Sequence, residues 1–448
     1  MRSLLVSLLA LAACVPSQSE LPPLRSVDDT DPSSSVVHLS LRAQVASVRF
    51  GDAPPTEVWT YNGTVPGPLI EANLGDRLVV DFQNDLPEAT TIHWHGLRVP
   101  NTMDGVPLMD NAVQAGGSFR YEFILKDSGL FWFHPHVRSA IQVQKGLYGV
   151  IRVRGPGEPA SDLEQVLVLD DIKLRADGSI SEYLDDASAM IGRQGNTLLA
   201  NGAVHPLLRL PAGGVTRLRV VNTANARYFT LGASGLKFLV FGTDGSPYAE
   251  PFEAETVMLV PGERLDLFVK GPSSGDVELM ALPYERGHMT GSASPLAIAT
   301  LRFAGKPTAT ALPAPPPAIE ALPTPAGPSF RIALSEKAEA GNVRFFVNEK
   351  QWPDVAAWTP GAGVSVFEVV NESEMDHPFH LHGFFFQVLS RNDVAEASAR
   401  RVWKDTINIP AKSSIKAIAR FDEPGRWMYH CHILEHAEGG MMGEVSIP

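Results

Sequence analysis

The sequence predicts an all-β chain built as three tandem β-sandwiches, with a single large barrel as the alternative that the repeat disfavours, and three observations carry that prediction. The first is texture. Short runs rich in Val, Leu, Phe and Thr, such as Leu78-Val79-Val80-Asp81-Phe82 and Leu218-Arg219-Val220-Val221, stand between Gly, Pro and Asn. Period-2 runs with such punctuation are the pattern of sandwich strands, and sustained helical periodicity is nearly absent. Helix is expected only in short connections, for instance around residues 181–191. The second observation is a repeat, and the third is a pair of linkers that divide the chain where the repeat does.

The repeat reads Tyr61-Asn62-Gly63-Thr64-Val65-Pro66-Gly67-Pro68, then Gly75, then a strand ending at Asn84. It returns as Ala200-Asn201-Gly202-Ala203-Val204-His205-Pro206, Gly213 and Asn222, and in diverged form from Val347-Asn348 through Gly361 to Asn371. The Asn-to-Asn spacings, 84−62 = 22, 222−201 = 21 and 371−348 = 23, describe one strand-turn-strand unit used three times. Gly155-Pro156-Gly157-Glu158-Pro159 separates the first two units. A Pro/Ala-rich stretch, 306–329, separates the last two and should be extended and semi-rigid. The expected division is 1–35 signal and tether, 36–155, 156–305, the 306–329 linker, and 330–448.

Composition is that of an ordinary globular protein: 44% hydrophobic and 19% charged residues in a chain of 448. A net charge of −13 argues against nucleic acid or an anionic membrane surface as partner. At the N-terminus Arg2 precedes an apolar run, 4–13, which reads as an export signal too short to span a bilayer. It ends Leu11-Ala12-Ala13-Cys14, resembling the bacterial lipoprotein box; the alternative is plain secretion after Ala13. Cys14 is then the lipidated residue, 15–35 a flexible tether, and the cell envelope or periplasm the destination of a monomer. With Cys431 the only other cysteine, no disulfide is expected.

Chemistry concentrates at the C-terminus. Cys431, His436 and Met441 place a thiolate, an imidazole and a thioether on one loop. One further imidazole completes the His₂Cys site with weak axial Met that holds blue copper. The flanking His430 and His432 point to the opposite face of their strand and serve something else.

Counting from the closing Asn of each repeat locates their partners. Offsets +9 and +11 give His93 and His95 in unit one, His380 and His382 in unit three, and Leu231 and Ala233 in unit two. Unit one also carries His134-Pro135-His136 where unit three has His430-Cys431-His432. With 13 His in the chain, chance predicts roughly 0.4 His-x-His pairs, against these four. Eight imidazoles from two units suit a polynuclear copper cluster, and the lack of carboxylates argues against Mg, Ca or Mn. His38, His205 and His288 fall outside the scheme.

These motifs, His93-Trp94-His95-Gly96, His134-Pro135-His136, His377-Pro378-Phe379-His380-Leu381-His382-Gly383 and His430-Cys431-His432 through Met441, resemble those of three-domain bacterial multicopper oxidases of the laccase and cuprous-oxidase type. The resemblance covers about residues 36–448 and implies three cupredoxin-like Greek-key β-sandwich domains with four copper ions. It assigns type 1 copper to His377, Cys431, His436 and Met441, and type 2 copper to His93 and His380. The two type 3 coppers fall to His95, His134, His136, His382, His430 and His432. A small reductant is expected to deliver electrons through an exposed imidazole edge of His377 or His436, and O₂ to be reduced to water.

Asp104 matches the family's proton-relay carboxylate, although an Asp before Gly105 also suits a turn. The chain departs from its relatives at Leu434 and Ala437, where many carry a second relay acid; Glu435 or Glu438 is the available substitute. Phenolic or similar organics are the expected substrates, with Cu(I) as the alternative. Met375 and Asp376 are substrate-side candidates, but no Met-rich insertion accompanies them. A non-enzymatic scaffold or a simple electron carrier would not need all twelve ligands.

Overall fold

The computed structural model describes residues 18–106, 112–181, 191–288, 290–291, 294–306, 310–325, 329–339, 342–361 and 363–448. Among these residues the strands form six sheets, two for each repeat unit. In unit one, Thr56–Tyr61, Val36–Val48, Arg77–Asn84 and Ser118–Ile124 form one sheet. It packs on a second, ordered Leu69–Asn73, Gly149–Arg154, Gly129–His134 and His93–His95. Units two and three repeat the plan with sheets of six and five, and of six and four, strands. One parallel pair recurs in each: Val36–Val48 with Arg77–Asn84, Leu163–Ile172 with Val215–Asn222, and Phe330–Glu339 with Gly363–Asn371.

The asparagines that mark the repeat do the same work three times. Asn62, Asn201 and Asn348 sit in the left-handed region, at φ 55°, 49° and 48°, which Asn tolerates better than most residues. Each accepts a backbone N–H from a neighbouring strand (Arg42, Val168, Ala333) and donates back to a carbonyl two residues earlier (Ser40, Val166, Arg331). Asn84, Asn222 and Asn371 are buried where their strands end. Their Oδ1 atoms accept the N–H two residues on, and their Nδ2 groups bridge two carbonyls apiece. Each exit loop is thereby anchored in the same way, and the same number of residues leads from the anchor into the next strand's paired positions. That is why His93, Leu231 and His380 occupy corresponding positions.

Two zones join the units. Phe50, Trp132 and Tyr148 of unit one pack with Val166 and Leu199 of unit two and with Leu434 of unit three. Ala226, Tyr228 and Val260 of unit two enter the core around Cys431 and Met441. Burial of these side chains, at about 25 cal/mol per Å² of apolar surface, opposes separation of the domains.

One expectation is overturned. Residues 18–35 are not a free tether: Leu21, Leu24 and Val27 pack on three different cores, and Glu20 and Ser26 pair with Leu207 and Leu69. Gln18 also donates to His205 O and Thr300 Oγ1. Apolar residues at three-residue spacing give this segment enough buried surface to offset its ordering. The 306–329 linker carries no helix or strand over residues 310–325, and Leu322 is buried and bonded through its N–H to Gln387 Oε1. Cys14 and the expected helix at 182–190 lie outside the described residues.

Candidate metal centres

Antiparallel pairing sets the two faces of the site. Phe379 pairs with Cys431 and His380 with His430, so alternation sends Cys431 into the core of unit three and His430 toward unit one. In unit one His93 pairs with His134. The remaining residues follow from these two registers.

On the core side, His377, Cys431 and His436 converge with no exposed surface. Cys431 Sγ lies 3.4 Å from His377 Nδ1 and 3.7 Å from His436 Nδ1, and the two nitrogens are 3.2 Å apart. Met441 is buried in the same core, and its carbonyl accepts the Cys431 N–H. Ser373 Oγ, 2.8 Å from His377 Nε2, turns Nδ1 toward the thiol. Burial pushes the Cys431 thiol up to about 12 and holds His377 down to about 3. The imidazole is therefore a neutral ligand at ordinary pH, whereas the thiol ionises only against a bound cation.

The expected exposed imidazole edge is absent. Phe345 stacks on His436 at 3.8 Å between ring centres, and both metal-side imidazoles are enclosed. An aromatic at Phe345 could not be assigned this place from sequence, because no spacing ties it to the loop.

Behind the loop, eight imidazoles face one another. His93, His95, His134, His136, His380, His382, His430 and His432 have ring centres 3.8–5.9 Å apart across their contacts. The outward nitrogens are bonded. His93 Nδ1–H donates to Asp104 O, His134 Nδ1–H to Pro135 O, His380 Nδ1–H to Asp405 O, and His430 Nδ1–H to Cys431 O. The opposite nitrogens of His93, His134 and His380, with His95 Nδ1 and His136 Nε2, are buried without partners. His382 Nε2 and His430 Nε2 stand 3.1 Å apart. Bonding one ring nitrogen outward fixes the tautomer and leaves a lone pair inward, as metal-ligating histidines require. Burial keeps His95, His134, His136, His380, His382 and His432 below the usual histidine range, and His430 at about 3. A ring of imidazoles whose inward nitrogens are buried with unspent lone pairs fits metal ions, and nitrogen donors fit copper.

Asp104 is fully buried against this ring. Its Oδ2 accepts His382 Nδ1–H at 2.9 Å, its carbonyl accepts His93 Nδ1–H, and its Oδ1, 3.3 Å from the same His93 Nδ1, has no hydrogen-bond partner among the described residues. It is also the turn residue that sequence allowed. Gly105, at φ 73°, passes so close to Ile92 O that a Cβ would lie 1.8 Å from it.

Leu434 and Ala437 are buried, Leu434 in the core shared by the domains. Glu435 is buried too; burial raises its pKa, and Asn225 donates to Oε1. Glu438 accepts the Ala140 N–H instead. Neither carboxylate bonds a cluster histidine among the described residues. Of the substrate-side candidates, Met375 has no exposed surface, and both oxygens of Asp376 are taken by Tyr284, Asn408 and the Ala411 N–H.

Three segments match family models described as multicopper oxidase: residues 42–158, 173–304 and 330–448. Multicopper oxidase MmcO of Mycobacterium tuberculosis is 28% identical, over 91% of this chain and 86% of its own. A laccase of Bacillus subtilis is 27% identical over 88% and 91%. Among solved structures, a Campylobacter jejuni multicopper oxidase described as a metallo-oxidase superposes at TM-score 0.87, with 30% identity over 96% of this chain and 95% of that one. The laccase-like multicopper oxidase of Ochrobactrum sp. does so at 0.83, with 27% identity over 95% and 100%. Matched by family models over most of its length, and carrying a buried thiol and imidazoles whose chemistry suits metal ions, the chain belongs to the multicopper oxidases, a family of copper-binding oxidoreductases.

Proposed function

We propose that the chain is a laccase-like enzyme that couples one-electron oxidation of phenolic or similar reductants to four-electron reduction of O₂ to water. His377, Cys431, His436 and Met441 would hold type 1 copper. His93 and His380 would hold type 2 copper, and His95, His134, His136, His382, His430 and His432 the type 3 pair. The observation that carries this reading is the set of buried, unpartnered ring nitrogens turned inward from two domains. Bound copper would supply the redox chemistry.

The protein's own part is position, exclusion and protons. Backbone carbonyls fix the imidazole tautomers, and the enclosing cores keep bulk water from the thiol. Cys431 lies between His430 and His432 in the chain, so a few covalent bonds connect the two centres. Asp104 holds His382 through one oxygen, and the other, beside His93 Nδ1, would exchange protons that water formation consumes. Phe345 stacks on His436 and Ser373 bonds His377, and both are themselves buried, so electrons from a reductant would reach the thiol through buried contacts.

Cu(I) is the second reading, favoured by the metallo-oxidase description of the Campylobacter jejuni relative. Against it, Met375 is enclosed and Asp376 has no free oxygen. O₂ uptake under matched Cu(I) and phenol tests the order: the phenol should give the higher kcat/KM, and a value far higher for Cu(I) would reverse it. Export with lipid attachment at Cys14 accompanies this function, and Cys14→Ala should release the chain from membranes.

A further inference from the structure

The middle domain has apolar residues where its neighbours have histidines, yet it reaches the histidine cluster. Gly262, at φ 85°, lies so close to His432 that a Cβ would stand 2.9–3.0 Å from the ring. Two residues on, Arg264 is 1% exposed, and its five N–H groups are all spent. Nε donates to Leu130 O of the first domain at 3.1 Å. Nη1 donates to Gly262 O at 3.2 Å and Asp405 Oδ1 at 2.7 Å, and Nη2 to Asp244 O at 2.7 Å and Asp405 Oδ2 at 2.5 Å. The guanidinium thus ties all three domains together, with its fork on the carboxylate of Asp405 in the third.

Asp405 in turn orients two cluster rings from different domains. Its Oδ1 is 3.2 Å from His95 Nε2, and its carbonyl accepts His380 Nδ1–H at 2.9 Å. Thr406 Oγ1 donates to Asp405 Oδ1 and lies 3.1 Å from both His95 Nε2 and His380 Nδ1. The two rings stack at 3.8 Å and 10°. Burial works against the Asp405 carboxylate, but Arg264 and His380 together outweigh it and hold its pKa below the usual carboxylate range. Behind the pair, Asp244 accepts the Arg264 N–H, and Lys404 binds Glu263 and Asp244. The first domain accommodates this. Gly96, directly after His95 and at φ 84°, leaves a Cβ position 2.4 Å from Arg264 Nη2 and 2.8 Å from Asp405 Oδ2, so only glycine fits.

We infer that Arg264 is a positioning residue of the histidine cluster, which through the Asp405 carboxylate holds His95 Nε2 outward and, through Thr406 Oγ1 bonded to that carboxylate, His380 Nδ1 as well, and so presents His95 Nδ1 and His380 Nε2 inward. The inference rests on the copper reading of that cluster, and it gives the middle domain a part in the chemistry without a ligand of its own. Loss of an outer partner of a metal-bound histidine typically weakens metal affinity by about 10- to 100-fold.

The test is the double variant Arg264→Met/Asp405→Leu, because exchanging a buried ion pair for apolar groups of similar size usually spares folding. Metal-free melting, chelator competition for copper, and paramagnetic resonance of the loaded protein are measured on it and on the unaltered chain. The expected result is near-native melting and an unchanged type 1 signal, with an altered type 2 signal and cluster copper bound about 10- to 100-fold more weakly. Arg264→Lys, which keeps the cation and loses the fork, should fall between; it also serves if the double variant does not fold. Native type 2 parameters and native affinity in the double variant, or in Arg264→Lys if it alone folds, would overturn the inference. Absence of a type 2 signal from the unaltered chain would instead overturn the copper reading and the inference with it.

Discussion

Replacing Asp104 by Asn separates what this residue holds from what it exchanges. The amide oxygen can still accept His382 Nδ1–H from the position Oδ2 now takes at 2.9 Å, and the backbone carbonyl still fixes His93. What disappears is the charge. A hydrogen bond to a charged group contributes about 1.5–3 kcal/mol and a neutral one about 0.5–1.5, so ring orientation loses about 1 kcal/mol, less than tenfold in copper retention. A positioned acid–base group contributes about 10²–10⁴ in rate, so re-oxidation by O₂ should fall by at least about a hundredfold. Stopped-flow absorbance separates the two half-reactions: the blue band is bleached anaerobically with a phenol, then restored with O₂. Asp104 makes no described hydrogen bond to His377, Cys431 or His436, so bleaching should keep its rate. Re-oxidation at the unaltered rate would refute the proton role and leave Asp104 as the turn residue before Gly105.

Three further outcomes are expected. Phe345→Ala removes the ring stacked on His436 and should cost about 3–5 kcal/mol of stability, seen as a lower melting temperature, while raising kcat/KM for bulky phenols. Unchanged kinetics there would place reductant access at Ser373 and His377. Asp170 is buried beside Asp171, and burial raises it from an ordinary 3.8 to about 7. The folded chain therefore holds this proton more tightly than the unfolded one, and the contribution, present in full below about 4, is lost as pH rises through 7. At 1.36 kcal/mol per pH unit this is at most about 4 kcal/mol, so Asp170→Asn should raise the melting temperature at pH 8 and flatten its decline from pH 5. Cys431→Ser, which replaces the thiolate by a poor copper ligand, should abolish the blue band and turnover together, measured by absorbance and O₂ uptake.

Sequence reading reached the repeat and the ligands because both are local patterns. Asn84, Asn222 and Asn371 do their work within a few residues of themselves, and strand alternation makes His93/His95 or His430/His432 point one way. What it missed depends on distance along the chain. Asp405 meets His95 across 310 residues and Arg264 across 141, and neither neighbour leaves a mark on the Lys404-Asp405-Thr406 string. Phe345 covers His436 from a strand 91 positions away, 436−345, so the enclosed imidazole read as exposed. The segment 18–35 looked polar enough to be free, yet Leu21, Leu24 and Val27 sufficed to dock it.

The central claim is that two domains close around a polynuclear copper cluster behind a blue site. Paramagnetic resonance with copper analysis of the loaded chain tests it most directly. Four coppers per chain, with one type 1 and one type 2 signal and the remaining pair silent, is the predicted result. A lone type 1 signal with a single copper would contradict it, leaving eight clustered imidazoles without a metal to face.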